Sequence, residues 1–235
     1  MRDTLKAIEI EDLRFAYPDG TEALSGVSFC VDEGECIGLI GPNGSGKTTV
    51  LLHLNGILRG QGRVRIYNRD VIEENLPFIR KEIGLVFQDP DMQLFMPTVF
   101  DDVAFGPVNL DWGPQEVRES VARALAEVDM RSYAQKISHH LSFGEKKRVS
   151  IATVLSMAPS ILVLDEPTGN LDPKHRRQLI DILGGFAATK IIASHDLDMI
   201  SRLADRVIYL EEGRVAAMGP TRQILGSIEK KAFSC

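Results

Sequence analysis

A chain of 235 residues with 44% apolar content can bury one large core, or a core with a subdomain inserted into it. Its net charge of -6 argues against a nucleic-acid partner, since a protein that tracks phosphates carries a basic excess. No stretch approaches the roughly eighteen apolar residues of a bilayer-spanning helix, and Met1-Arg2-Asp3-Thr4 opens no charged-then-apolar leader, so export is not expected. Cys30, Cys36 and Cys235 are odd in number and lack metal-ligand spacing. They read as reduced thiols, with Cys30 and Cys36 buried as small core residues.

In chain order, residues 7–15 and 24–31 read as antiparallel strands around the turn Pro18-Asp19-Gly20. The run Cys36-Ile37-Gly38-Leu39-Ile40 reads as a buried strand, followed by a helix over 47–58 that closes near Gly60. Residues 63–67 and 83–87 read as two further strands. The pattern then turns helical over 88–157, with segments at 99–109, 114–128 and 145–157 broken by Gly106-Pro107 and Gly113-Pro114. Strand character returns at 161–164, 191–193 and 207–210, separated by helices starting near Pro173 and Asp196. That alternation predicts an α/β protein with a parallel, doubly wound sheet. Residues 1–87 and 158–235 form its core, and residues 88–157 are a candidate inserted helical subdomain.

Gly41-Pro42-Asn43-Gly44-Ser45-Gly46-Lys47-Thr48-Thr49 satisfies G-x-x-x-x-G-K-[ST] between a strand and a helix, the context that motif requires. Its glycines let successive backbone N–H groups point at phosphates, Lys47 reaches the terminal phosphates, and Thr48 offers a hydroxyl to Mg²⁺. The helix start adds its positive end. The apolar run Ile161-Leu162-Val163-Leu164 delivers Asp165 and Glu166 to a strand end, where ligands bind in such sheets. In a phosphate-hydrolysing site, the first acid holds Mg²⁺ and the second orients or deprotonates the attacking water. Ser142, with Glu145 three residues on, reads as a capping box. The same helix start suits an anion.

The glycine-rich loop, Gln88, Leu141-Ser142-Phe143-Gly144-Glu145, Asp165-Glu166, Asn170-Leu171-Asp172 and His195 together resemble the ATP-binding subunit of ABC transporters. The resemblance covers essentially the whole chain. It implies a P-loop NTPase core with a mixed sheet, an N-terminal antiparallel β subdomain and a helical subdomain carrying the signature segment. It further implies two subunits head to tail, with Ser142 and Gly144 of one meeting the ATP of the other. His195 would contact the γ-phosphate, Gln88 would sense Mg²⁺ and link the site to the membrane partner, and Tyr17 would stack on adenine. Phe143 and Glu145 depart from the usual Leu-Ser-Gly-Gly-Gln. Phe143 would be strained if a positive φ were required there, and Glu145 sets a negative charge near phosphate. His53, His139, His140 and His175 read as helix-surface or loop residues.

Residues 88–109, with Gln93 and Asp101-Asp102-Val103-Ala104-Phe105-Gly106-Pro107, resemble the ATPases of energy-coupling factor importers. Leu52-His53-Leu54-Asn55-Gly56 and Leu141 to Lys147 resemble the cobalt and nickel branch. That resemblance implies ATP and Mg²⁺ as cofactors, and as partners a second ATPase subunit (a homodimer sufficing), an integral-membrane scaffold subunit and a substrate-capture subunit. It places the protein peripherally on the cytoplasmic face of the cell membrane. Leu94, Phe95, Met96, Val99 and Phe100 suit either core packing or a groove for a partner helix. The chain ends soon after Leu225, without the longer C-terminal extension many relatives carry, which would weaken a nucleotide-free dimer. The alternatives are an importer of a vitamin or other solute, a soluble ABC ATPase of DNA repair or translation, or a P-loop kinase.

Overall fold

The computed structural model describes residues 5–232; the readings on residues 1–4 and on Cys235 lie outside them. Two sheets carry the architecture. Strands β1 (Lys6–Ala16), β2 (Glu22–Asp32), β4 (Gln61–Ile66) and the short β5 (Arg69–Asp70) form an antiparallel sheet in the order β2-β1-β4-β5. The larger sheet runs β10-β9-β3-β8-β7-β6, with β3 Cys36–Ile40, β6 Ile83–Val86, β7 Ile161–Asp165, β8 Thr189–Ala193, β9 Arg206–Glu211 and β10 Arg214–Pro220. Its pairings are parallel except for β10 against β9.

The period-two alternation of these strands splits the interior into two cores. Ile37, Leu39, Ile161, Val163, Ile191 and Ala193 face the small sheet and the helix α1 (Lys47–Leu54). Cys36, Ile40, Leu162, Leu164 and Ile192 face the opposite side. There they meet α4 (Pro114–Glu127), α5 (Phe143–Leu155), α6 (Pro173–Gly184) and α7 (Leu197–Leu203). Both faces are covered, so the central strands read as continuous apolar runs.

Local chemistry sets the helix ends. Pro114 stands at the first turn of α4, and Val117, Val121, Ala124 and Leu125 form its buried stripe. Asp172 caps α6 through the amides of Lys174 (2.9 Å) and His175 (3.1 Å). The helix α3 (Val99–Asn109) runs through Gly106-Pro107 rather than breaking there. Pro107 falls near the helix end, where its missing N–H removes one bond, and Gly106 lets Met157 pack against the backbone. The helix α1 ends at Leu54, before the expected residue 58, because the chain turns at Gly56 with φ 71°.

The short α2 (Leu76–Glu82), β5, β10 and the final α8 (Thr221–Ala232) were absent from the sequence reading. The strand β10 alternates only between exposed and half-buried residues, so it has no apolar run to announce it. Cys36 is buried as expected, whereas Cys30 on the small sheet is half-buried. Among the described residues, no helix is long and apolar enough to cross a membrane.

Candidate active site

The phosphate loop lies between β3 and α1 and turns on glycines at φ 150° (Gly41), 78° (Gly44) and 100° (Gly46). A Cβ on Gly41 would stand 2.1 Å from the Leu210 carbonyl oxygen, so no side chain fits there. The Ser45 amide donates to the Pro42 carbonyl (3.2 Å), closing the curl. Pro42, Asn43 and Gly44 are exposed at its rim. Lys47 is buried, and its Nζ donates to the carbonyl oxygens of Gly41 (2.9 Å) and Pro42 (3.0 Å). The ammonium thus spans the mouth of the loop.

The acids arrive from the end of β7. Thr48 Oγ1 donates to Asp165 Oδ2 (2.8 Å), while Asp165 Oδ1 is buried without any partner. Burial raises the Asp165 carboxyl above its ordinary range; Thr48 opposes this and neighbouring Glu166 adds to it. An unpartnered buried carboxylate oxygen beside a threonine hydroxyl is what a hard divalent cation requires, so these residues fit Mg²⁺. Glu166 is 7% exposed and holds a left-handed backbone, φ 44°, rare for a residue with a side chain. Its Oε2 accepts from Ser194 Oγ (3.0 Å) and pairs with His195 Nδ1 (2.9 Å). The imidazole itself stands in solvent, at the end of β8.

Tyr17, Lys47, Thr48, Gln88, Asp165, Glu166 and His195 line one open cleft of about 570 Å³. Tyr17 is exposed, donates or accepts at Thr49 Oγ1 (3.0 Å), and meets Phe15 edge-on with ring centroids 5.0 Å apart. The loop therefore has a phosphate end and an aromatic end. Ser142 and Gly144 do not line this cleft. They open α5, where Ser142 and Glu145 close a full capping box. Glu145 Oε2 accepts from the Ser142 amide and hydroxyl, each at 2.8 Å, so its charge is already engaged. Phe143 begins the helix and is not among the residues of positive φ, so the strain considered for it does not arise.

His53 corrects the surface reading: it is 2% exposed, bonded through Nδ1 to the Thr49 carbonyl (2.7 Å) and packed edge-on against Phe15. The apolar cluster divides between the two uses considered. Leu94 and Val99 are core, whereas Phe95 is 57% exposed. With Ile57, Met92 and Phe105, Phe95 lines a groove of about 350 Å³.

Sequence reasoning missed a polar clamp behind His195. Asp196 accepts from Arg176 Nε (2.6 Å) and Nη2 (2.5 Å) and from Thr168 Oγ1 (2.9 Å). Burial opposes its charge, yet Arg176, the Met199 amide and Thr168 together hold the carboxyl down to about 2. The Met199 amide is a local helix cap three residues on, but Arg176 and Thr168 lie 20 and 28 residues from Asp196, and no local spacing links them to it.

A phosphate cradle, a partnerless buried acid beside a threonine, and a second acid paired with histidine define a nucleotide-hydrolysing P-loop protein. The ABC transporter family profile matches residues 24–169, and the chain belongs to that family; it is an ATP hydrolase that works with Mg²⁺. It is 50% identical over 217 residues to the energy-coupling factor transporter ATP-binding protein EcfA of Carboxydothermus hydrogenoformans, covering 91% of this chain and 80% of that protein. It is similar to cbiO1 from Clostridium perfringens, part of the ABC transporter complex cbiONQ. That match has a TM-score of 0.85 and 38% identity, covering 95% of this chain and 92% of the other. It is also similar to the ATP-binding cassette MJ0796, a dimer in a post-hydrolysis state bound to ADP and Pi, with TM-score 0.82 and 27% identity, covering 92% and 99%.

Proposed function

We propose that the chain powers an energy-coupling factor importer of cobalt or nickel ions, as a dimer that closes on ATP and reopens after hydrolysis. The observation that carries this is the separation of the two halves of the site. Lys47, Asp165, Glu166 and His195 share one cleft, while Ser142 and Gly144 stand outside it, ready to meet phosphate held by a second copy. The dimeric MJ0796 cassette supports that arrangement. A homodimer suffices, since one chain carries both halves. We assign residues 88–157 as the helical subdomain and 1–87 with 158–235 as the nucleotide core.

The phosphate loop and Lys47 bind the β- and γ-phosphates, and Tyr17 stacks on the adenine. Mg²⁺, when held by Thr48, Asp165 and Gln88, neutralises charge on the phosphate oxygens. Glu166 takes a proton from water as the water oxygen attacks the γ-phosphorus and the bond to the ADP oxygen breaks. His195 donates to the γ-phosphate and is oriented by Glu166. The groove of Met92, Phe95 and Phe105 receives a helix of the membrane scaffold, placing the protein peripherally on the cytoplasmic face of the cell membrane. A substrate-capture subunit completes the importer. Leu52 to Gly56 and Leu141 to Lys147 support the cobalt and nickel reading, as does similarity to cbiO1.

Glu166→Gln tests the mechanism. It is expected to bind ATP as the wild type does, to hydrolyse it at least about a hundredfold more slowly, and to elute as an ATP-dependent dimer. Hydrolysis at the wild-type rate would overturn the role of Glu166. The cargo is tested by radiolabelled Co²⁺ and Ni²⁺ uptake into vesicles holding the co-purified membrane complex. Uptake of neither ion overturns the cargo while leaving the ATPase cycle standing.

A further inference from the structure

Lys147 has no exposed surface at all, although it follows the signature segment by only a few residues. A buried ammonium is costly unless it is paired, and a methionine fills nearly the same volume. Among the described residues, Lys147 makes no ion pair with a carboxylate; its Nζ donates instead to two backbone carbonyls, those of Gln88 and Glu166 (3.1 Å to the latter). Burial pushes the ammonium down to about 8, against the attraction of Asp165, Asp89 and Glu166.

These two carbonyls stand just beyond the ends of two adjacent parallel strands. Gln88 follows β6 and faces the cleft, and Glu166 follows β7 with its backbone at φ 44°. Such a conformation persists only where its surroundings fix it. The Glu166 peptide is gripped from three sides: its amide donates to Ala193 O (2.9 Å), and its carbonyl accepts from the Gly169 amide (3.1 Å) and from Lys147. The segment after Gln88 is in turn bolted to α5, because Gln93 Nε2 donates to Ser150 O (2.8 Å) and Thr153 Oγ1 (2.6 Å). Any displacement of α5 therefore pulls on both carbonyls through one side chain.

We propose that Lys147 is a positioning residue for ATP hydrolysis: held between the carbonyls of Gln88 and Glu166, it fixes the Glu166 backbone and couples the signature helix to the carboxylate that activates water. The inference rests on the role assigned to Glu166 above. Breaking the link removes no side chain of the phosphate loop, Thr48 or Asp165; it withdraws a positive charge near Asp165 and one donor to the Gln88 backbone, so the main ATP contacts through the loop and Lys47 survive while the carboxylate loses its aim. A side chain acting in this way changes kcat and spares KM.

The test compares full-length wild type, Lys147→Met, Lys147→Gln, Glu166→Gln and the double variant Lys147→Met with Glu166→Gln. Turnover, KM and calorimetric MgATP affinity are measured for each. Lys147→Met is expected to lose about tenfold or more in kcat, with KM and affinity within about twofold of wild type. Lys147→Gln keeps an N–H donor without the charge and is expected to recover at least about threefold over Lys147→Met. In the Glu166→Gln background, Lys147→Met is expected to change the residual rate by less than about twofold, because both act through one carboxylate. If Lys147→Met does not fold, Lys147→Gln carries the comparison. Turnover within about twofold of wild type in Lys147→Met overturns the inference while leaving Glu166 in its role. So does a parallel loss of affinity and kcat, or failure of both variants to fold, which would make the ammonium a structural cross-link only. Wild-type turnover in Glu166→Gln instead removes the reading on which the inference stands.

Discussion

Arg176 and Asp196 are joined by two guanidinium–carboxylate hydrogen bonds, 2.6 and 2.5 Å long, that tie α6 to the loop carrying His195. This geometry is stronger than an ordinary surface ion pair, and Asp196 is half-buried. The carboxyl sits at about 2 in the folded protein against an ordinary value of 3.8. A depressed carboxyl contributes stability that is complete above the unfolded value and lost as pH falls through the folded one. Asp196→Asn is therefore expected to cost about 1.5–3 kcal/mol at pH 7. In urea titrations, its gap to the wild type should narrow as pH falls from about 4 towards 2. A gap that stays constant over that range contradicts the assignment. Turnover should also fall, since Asp196 adjoins His195.

Asp165 carries the opposite sign. Its carboxyl is raised by burial, so ionisation favours the unfolded chain, and stability declines as pH rises from the ordinary value through the folded one. Asp165→Asn removes that penalty and keeps an oxygen for the Thr48 hydroxyl. Without nucleotide, the variant is expected to melt at or above the wild-type temperature. With MgATP, the wild type gains stability by mass action, and the variant is expected to lose most of that gain. Thermal melts with ATP plus EDTA and ATP plus Mg²⁺ separate the two effects. An equal Mg²⁺-dependent gain in both proteins counts against Asp165 as a metal-binding residue.

The parts of the site carried by contiguous sequence were legible, because their chemistry is local: a glycine loop between strand and helix, or two acids ending an apolar run. His195 entered through the family resemblance, and the structure places it just beyond β8. Lys147, Arg176 and Thr168 act on groups 19 to 59 residues away, and a lysine or arginine on a helix reads as a solvated face until the fold buries it. His53 on α1 misled in the same way, since it packs against Phe15 of the distant strand β1. The span of α3 was legible, but the break expected at Gly106-Pro107 is absent: a Gly-Pro step usually ends a helix, and here the proline falls near an end already due.

Cys36 is expected to be inert. Burial pushes its thiol up to about 12, and the thiolate is the reactive form. Cys30 is half-buried on the small sheet, within reach of reagents. Iodoacetamide at pH 8, followed by peptide mass spectrometry, should label Cys30 in the native protein and Cys36 only after denaturant is added. Native labelling of Cys36 as fast as Cys30 contradicts its burial in the core.

Gly46 and Gly44 separate two reasons for glycine in the phosphate loop. Both have positive φ, 100° and 78°, so alanine at either carries the left-handed backbone cost of about 1–2 kcal/mol. Around Gly44 nothing lies within 4 Å of an added Cβ, whereas at Gly46 it would meet the Ala23 carbonyl oxygen and Leu24 Cδ2, both at 2.7 Å. The carbonyl belongs to β2 and cannot yield without moving the strand, and Gly46 also starts α1. In the nucleotide-free protein, Gly46→Ala is thus expected to be less stable than Gly44→Ala by about 1–3 kcal/mol. Urea unfolding of the two variants beside wild type measures the difference. Equal losses would mean that backbone conformation alone selects glycine at 46, and that the close approach of β2 to the loop contributes nothing.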